Sequence, residues 1–198
     1  EGENIEESQR GASPLLRKNF PSSFCTVRYV GLYRTKQISK GVRLINNLRQ
    51  IYLPSPSQKG SVSLEEAIAR RRSVRHFTSE TIPQSQLSQI LWATQGIIDT
   101  SLKLRTVPSA GATYPLEIFV VCGKNGIEGI GDGIYHYNTD NHSLELHHKG
   151  DIRCELARAA LDQEFIYHAP VDIVICAVYE RTTLGYGSRG ERYVHIEV

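Results

Sequence analysis

Methionine is absent from these 198 residues, tryptophan occurs once, and no apolar run approaches the length that crosses a bilayer. A membrane helix needs about 20 consecutive apolar residues. The chain therefore reads as soluble and cytoplasmic with no membrane partner, and its first residues lack the apolar core of a signal peptide. A sequence that opens at Glu1 and holds no Met is expected to be a portion of a longer product. Cysteine is sparse too. Cys25, Cys122, Cys154 and Cys176 form no C-x-x-C pair and stand at no zinc-ligand spacing from histidine, which reads as free thiols in a reducing compartment. The net charge of +2 gives no bulk field for nucleic acid. Acidic residues are missing between Glu7 and Glu65, where ten lysines and arginines fall. Neither GxGxxG nor GxxxxGK[ST] occurs in usable context: Gly126, Gly129, Gly131 and Gly133 cluster ahead of a hairpin pattern rather than a helix, so no dinucleotide turn is indicated.

What is present suits one domain with an extension. With 40% hydrophobic and 22% charged residues the composition is globular, and the length can bury a core. Residues 1–58 read as a basic N-terminal extension whose polar, acidic opening is expected to be partly disordered. Within it, Phe24 to Leu53 alternates basic with apolar residues. That suits an arm over a partner subunit, a surface for membrane or nucleic acid, or a transit-like segment; the first demands least. Leu53-Pro54-Ser55-Pro56-Ser57 followed by Gly60 reads as a linker, leaving 59–198 as the domain.

Ser63 followed by Glu66 is a capping box that predicts a helix from Leu64 into the arginines. A second helix is predicted from Pro83, with Leu87, Ile90, Leu91 and Thr94 on its buried face and Gly96 as its stop. Leu116 to Val121 reads as a buried strand, and Gly133 to Tyr137 and Ser143 to His147 as a hairpin. Asp151 is expected to cap a helix to about Leu161. Val171 to Val178 reads as a central strand, and Arg189 to Val198 opens a last helix with Val194 and Val198 four apart. His142, His147 and His148 lack acidic or cysteine partners at ligand spacing, so they read as exposed hairpin residues and no metal is expected. The irregular alternation predicts α+β, a central mixed or antiparallel sheet flanked by helices.

Two stretches carry chemistry. Arg71, Arg72, Ser73 and Arg75, directly behind Arg70, place guanidinium forks and a hydroxyl within six residues, a donor set matched to phosphate oxygens. On charge alone a solvated basic run explains them as well. Pro108, Ser109, Ala110 and Gly111 open a loop of small residues closed by Pro115; a flat ligand can approach such backbone closely, and an ordinary turn would look the same. Taken in order, with Ile90-Leu91-Trp92-Ala93-Thr94-Gln95-Gly96 between them and Gly133-Ile134-Tyr135, Ala169-Pro170-Val171, Glu180-Arg181-Thr182-Thr183 and Arg192-Tyr193-Val194-His195 after them, these stretches resemble the FMN-dependent nitroreductase superfamily. The closer match is its SagB-type dehydrogenase branch. The resemblance covers residues 60–198.

It implies a nitroreductase-like homodimer with FMN at the subunit interface, of which C-terminal elements lie beyond the sequence given. Arg71, Ser73 and Arg75 would hold the flavin phosphate and ribityl chain, with Arg72 contributing mainly backbone. Pro108, Ser109, Ala110 and Gly111 would cross the dimer to lie on the isoalloxazine ring, and Gln163 would stand near the ring edge. The implied activity is hydride transfer through flavin N5, from NAD(P)H to an electron-poor organic small molecule. Azoline-oxidising relatives carry a Lys-Tyr pair ahead of Gly-x-Arg-Gly; here the run is Gly185-Tyr186-Gly187-Ser188-Arg189-Gly190. Tyr186 is thus a catalytic candidate without its lysine, which counts against azoline oxidation. A SagB-type azoline or peptide dehydrogenase and a non-catalytic flavin-binding scaffold stand as alternatives. A nucleic-acid module built on residues 8–64 ranks last, because no aromatic platform interleaves the basic residues.

Overall fold

The computed structural model describes residues 50–198; the expectations for the arm, the acidic opening and Cys25 lie outside the described residues. The strands are β1 (Gln50–Tyr52), β2 (Ile97–Asp99), β3 (Leu104–Arg105), β4 (Leu116–Cys122), β5 (Gly133–Asn138), β6 (Ser143–Lys149) and β7 (Val171–Ala177). The helices are α1 (Leu64–Arg70), α2 (Gln84–Gln95), α3 (Arg153–Ala159), α4 (Glu164–His168), α5 (Glu180–Tyr186) and α6 (Arg189–Glu197). Five strands form an antiparallel sheet in the order β1-β6-β5-β4-β7, and β2 pairs with β3 in a small separate ribbon. This is the α+β architecture expected.

The near-continuous apolar run of β4 follows from helices covering both sheet faces. Phe119 and Val121 point to one side, where Ile152 and Leu156 at α3, Ile166 of α4 and Val174 of β7 fill the core. Ile118, Val120 and Cys122 point to the other, against Leu87 and Leu91 of α2 and Tyr135, Tyr137 and Leu144 of the hairpin. At the end of the sheet Leu116 and Ala177 pack on Val194 of α6. Gln50, Ile51 and Tyr52 pair with Glu145, Leu144 and Ser143, and Leu53 is buried, so residues 50–53 belong to this sheet and core.

Several local expectations hold. Ser63 caps α1 by accepting the Glu66 amide, and the hairpin forms in the expected place. Others need correction. Among the described residues β7 is an edge strand: Val174 and Cys176 serve the α3 and α4 layer, while Val171, Ile173 and Ile175 pack on the opposite core. Asp151 accepts the Arg153 amide at 3.0 Å from one position before the cap, Ile152, and the helix ends at Ala159 because Leu161 and Asp162 take positive φ. Gly96 does stop α2, with an extended backbone; glycine is needed because a Cβ there would lie 2.3 Å from Trp92 Cδ1 and 2.6 Å from its carbonyl oxygen. The linker is held, since Gln89 accepts from Ser57 N at 2.7 Å and donates to Ser57 O at 3.1 Å.

The buried face of α2 is Leu87, Ser88, Leu91 and Gln95, while Ile90 is 49% exposed. Polar residues win these core positions because they find partners there. Ser88 donates to the Pro54 carbonyl at 2.5 Å, so its hydroxyl accepts from His142 Nε2 at 2.7 Å. Tyr137 then donates to His142 Nδ1 at 2.8 Å. His142 is therefore not the exposed hairpin residue expected. It is a neutral pin joining α2, the hairpin and Pro54, and burial depresses its pKa against the pull of that carbonyl. A depressed imidazole contributes stability that is present above its unfolded value of 6.5 and lost as pH falls through the folded value. The urea midpoint should decline on acidification below pH 6.5. In His142→Asn, which tolerates the residue's positive φ, this part of the decline should vanish; an unaltered pH profile would assign it to another group.

Candidate functional site

Pro108 to Gly111 lead into one 3₁₀ turn, Ala110–Ala112, with Gly111, Ala112 and Tyr114 at φ of 62°, 53° and 41°. A left-handed conformation costs a non-glycine residue about 1–2 kcal/mol, so the surroundings must over-determine Ala112 and Tyr114. Four contacts do. Thr113 Oγ1 donates to the Ala110 carbonyl and stands 2.8 Å from Thr182 Oγ1 on α5. Arg181 Nη1 donates to the Tyr114 carbonyl at 2.9 Å. The Arg105 amide donates to the Tyr114 hydroxyl at 3.1 Å, while the Arg105 guanidinium lies 4.5 Å from that ring's centroid. Ser109 Oγ accepts the Tyr114 amide at 2.9 Å and donates to Glu197 Oε2 at 2.6 Å.

The loop also meets the catalytic candidate. A Cβ placed on Gly111 would stand 2.6 Å from the Tyr186 hydroxyl, so the smallness of Gly111 admits Tyr186. The tyrosine ring is propped edge-on against Tyr193 of α6, centroids 5.1 Å apart. Beside it, Gly185 faces open space; geometry does not forbid the lysine that this position lacks.

Arg71, Arg72, Ser73 and Arg75 lie together on an exposed segment beyond α1. Arg71 ends the helix by donating its amide to Ala67 and Ile68. Arg70 pairs with Glu66, but among the described residues Arg71, Arg72 and Arg75 form no ion pair, which leaves their forks available to an anion. Arg72 Nε donates to the Arg70 carbonyl at 3.2 Å. Arg75 lies 5.5 Å from the ring centroid of Phe165 on α4. Gln163 is the N-cap residue of that helix, and its amide donates to the Ala160 carbonyl at 2.9 Å. The arginine segment and Gln163 thus share the α4 neighbourhood, while the small-residue loop and Tyr186 share that of α5 and α6.

Sequence reading did not pick out the charged cluster beneath the loop. Glu117 of β4 bonds His136 Nε2 of β5 at 2.6 Å and pairs with Arg181 of α5. Burial pushes the Glu117 carboxyl up, yet the His136 hydrogen bond and the Arg181 charge outweigh it and hold it below the usual carboxylate range. These side chains, with Arg105, Tyr114 and Asp140, line a pocket of about 390 Å³ that includes none of the expected site residues. A lone acid in the apolar run Leu116–Cys122 was the available signal. Glu197 was missed as well; nothing in a helical run marks a carboxylate that folds back onto a loop 88 positions away. No group of His, Cys, Asp or Glu among the described residues could hold a metal ion, and no helix among them is long and apolar enough to cross a membrane.

The profile of the nitroreductase family matches residues 68–198. A Methanocaldococcus jannaschii protein with a provisional nitroreductase name, MJ1384, is 44% identical over 149 residues, 75% of this chain and 72% of its own. The trifolitoxin-processing protein TfxB of Rhizobium leguminosarum bv. trifolii is 49% identical over a short stretch of 41 residues, 21% of this chain and 11% of its own. A crystal structure from Ralstonia eutropha JMP134, also under a provisional nitroreductase name, superposes with a TM-score of 0.63 at 26% identity, covering 80% of this chain and 71% of that one. With strands β2 to β7, the arginine segment and the small-residue loop all inside the matched region, the chain belongs to the nitroreductase family.

Proposed function

We propose that this protein is an FMN-dependent oxidoreductase of the cytoplasm, a homodimer that passes hydride from NAD(P)H to an electron-poor organic acceptor. The observation that carries the reading is the set of guanidiniums of Arg71 and Arg75 around Ser73, without an ion pair among the described residues, on an exposed segment of a nitroreductase-family chain. This donor set fits a phosphate, and bound FMN would supply a hydride acceptor and donor at N5. Arg71, Ser73 and Arg75 hold the phosphate end, with Arg72 adding backbone. Pro108, Ser109, Ala110 and Gly111 lie against the ring and exclude water, and Gln163 stands at its edge. Tyr186, whose hydroxyl rests at Gly111, holds a proton beside the loop. A dimer is supported by α1, which buries no residue and leaves Leu64 and Ile68 at 72% and 67% exposure, an apolar face suited to a partner subunit.

The similarity to TfxB favours a second reading, a SagB-type peptide or azoline dehydrogenase. Gly185 in the place of the expected lysine weighs against it. Absorption spectroscopy separates the readings. The purified protein should be yellow, or become so with added FMN, and should bleach anaerobically with NADH or NADPH and recolour with a quinone or nitroaromatic. A colourless protein that takes up no FMN overturns the proposal. Flavin that binds but resists both nicotinamides and an azoline peptide indicates the scaffold, and anaerobic bleaching by the azoline peptide alone indicates the second reading.

A further inference from the structure

One carboxylate ties the small-residue loop to the last helix. Glu197 Oε2 accepts the Ser109 proton at 2.6 Å, a length typical of a hydroxyl bonded to a charged acceptor. Ser109 has a single proton to give and its oxygen accepts the Tyr114 amide, while a charged carboxylate can only accept. The chain Tyr114 N–H to Ser109 to Glu197 therefore has one direction. It spans the segment in which Ala112 and Tyr114 are left-handed, and Ser109 enters that segment with extended backbone at φ −134° and ψ 139°. The other oxygen, Glu197 Oε1, is buried without a hydrogen-bond partner among the described residues. A buried, half-satisfied carboxylate costs stability. A purely stabilising contact would do better with both oxygens satisfied or none buried, and polar groups held at such cost cluster where geometry matters to function. Burial pushes the Glu197 carboxyl up, against the Ser109 hydrogen bond and the charge of Arg105, which pull it down.

We propose that Glu197 is a positioning residue: through Ser109 it fixes the loop from Pro108 to Tyr114, left-handed at Gly111, Ala112 and Tyr114, in the shape presented to the flavin ring. The role at the ring rests on the FMN reading; the fastening of the loop does not. Glu197 touches no reacting group. Its influence on catalysis runs through the loop backbone and the Tyr186 hydroxyl seated at Gly111. Arg105 on β3 is the charged group that faces it.

Hydrogen exchange on the flavin-free full-length chain tests the fastening. Protection of the Tyr114 amide, corrected for intrinsic rates, should fall about tenfold in Glu197→Ala, on the scale of losing one hydrogen bond to a charged group. Ser109→Ala should lose at least as much, and the double variant no more than Ser109→Ala alone. Glu197→Gln, which keeps an acceptor oxygen, should recover most of the protection. It should also abolish the wild type's change of protection with pH through the Glu197 titration, a change that a role in packing alone would not produce. Unchanged Tyr114 protection in Glu197→Ala, additive losses in the double variant, or a wild-type pH profile retained in Glu197→Gln would each overturn the proposal. With FMN added, Glu197→Ala should shift the flavin absorption band while affinity changes less than about threefold, because the phosphate is gripped elsewhere. A band unmoved in Glu197→Ala overturns the role at the ring. If exchange behaves as stated but wild type takes up no FMN, the fastening is supported and the flavin reading is what fails.

Discussion

Arg71→Ala and Arg75→Ala should each weaken FMN binding roughly 10- to 150-fold, as expected from losing a charge-assisted bond of about 1.5–3 kcal/mol. Both side chains are exposed, and among the described residues neither has a carboxylate to satisfy it. Removing them exposes no core and leaves no orphaned partner. Arg71→Ala should thus leave the melting temperature nearly unmoved, since its contribution to α1 is made by the backbone amide. Arg75→Ala should cost about 0.5–1 kcal/mol of stability through its cation–π contact with Phe165. Arg72→Ala serves as the internal control: its guanidinium already donates to the Arg70 carbonyl, and its expected contribution is backbone, so its effect on affinity should be the smallest of the three. Titration of each apo variant with FMN, followed by flavin fluorescence, ranks them. Equal affinity in wild type, Arg71→Ala and Arg75→Ala would remove the phosphate assignment.

The readable parts of this fold are those whose cause is local. The α1 cap needs only Ser63 and the Glu66 amide three residues on, and the hairpin needs a turn between two β-forming runs. The same holds for the arginine segment, whose chemistry lies in consecutive residues. What escaped depends on contacts that close over long separations. Ser88 and Gln95 replace Ile90 and Thr94 on the buried face of α2 only because His142 and Arg105 arrive with matching atoms. An apolar strand of seven residues looks central wherever it sits, and only strand order puts β7 at the edge. The candidate site divides along the same line. Ser109 and Gly111 are visible as small residues in a loop, but the reason each is needed comes from Glu197 and Tyr186, which no spacing rule connects to them.

Gly111→Ala should damage the site more than its single methyl group suggests. At φ +62° an alanine is strained before any contact is made, and its Cβ would stand 2.6 Å from the Tyr186 hydroxyl and 3.3 Å and 3.4 Å from two ring carbons. The loop cannot retreat easily. Thr182, Arg181 and Glu197 hold it at three points. Tyr186 must yield instead, and Tyr193 backs its ring. The expected cost is about 1–3 kcal/mol from crowding alone, seen as a lower urea midpoint, with the larger loss in turnover if the Tyr186 hydroxyl serves the flavin. Tyr186→Phe removes the nearest atom but leaves the ring carbons, so Gly111→Ala with Tyr186→Phe should regain part of the stability. Gly111→Ala with Tyr186→Ala should regain nearly all of the crowding cost while keeping the backbone strain. The cycle separates the two causes. Additive stabilities across it would mean that Gly111 and Tyr186 do not compete for the same space, and Tyr186 would then have no structural claim to the ring loop.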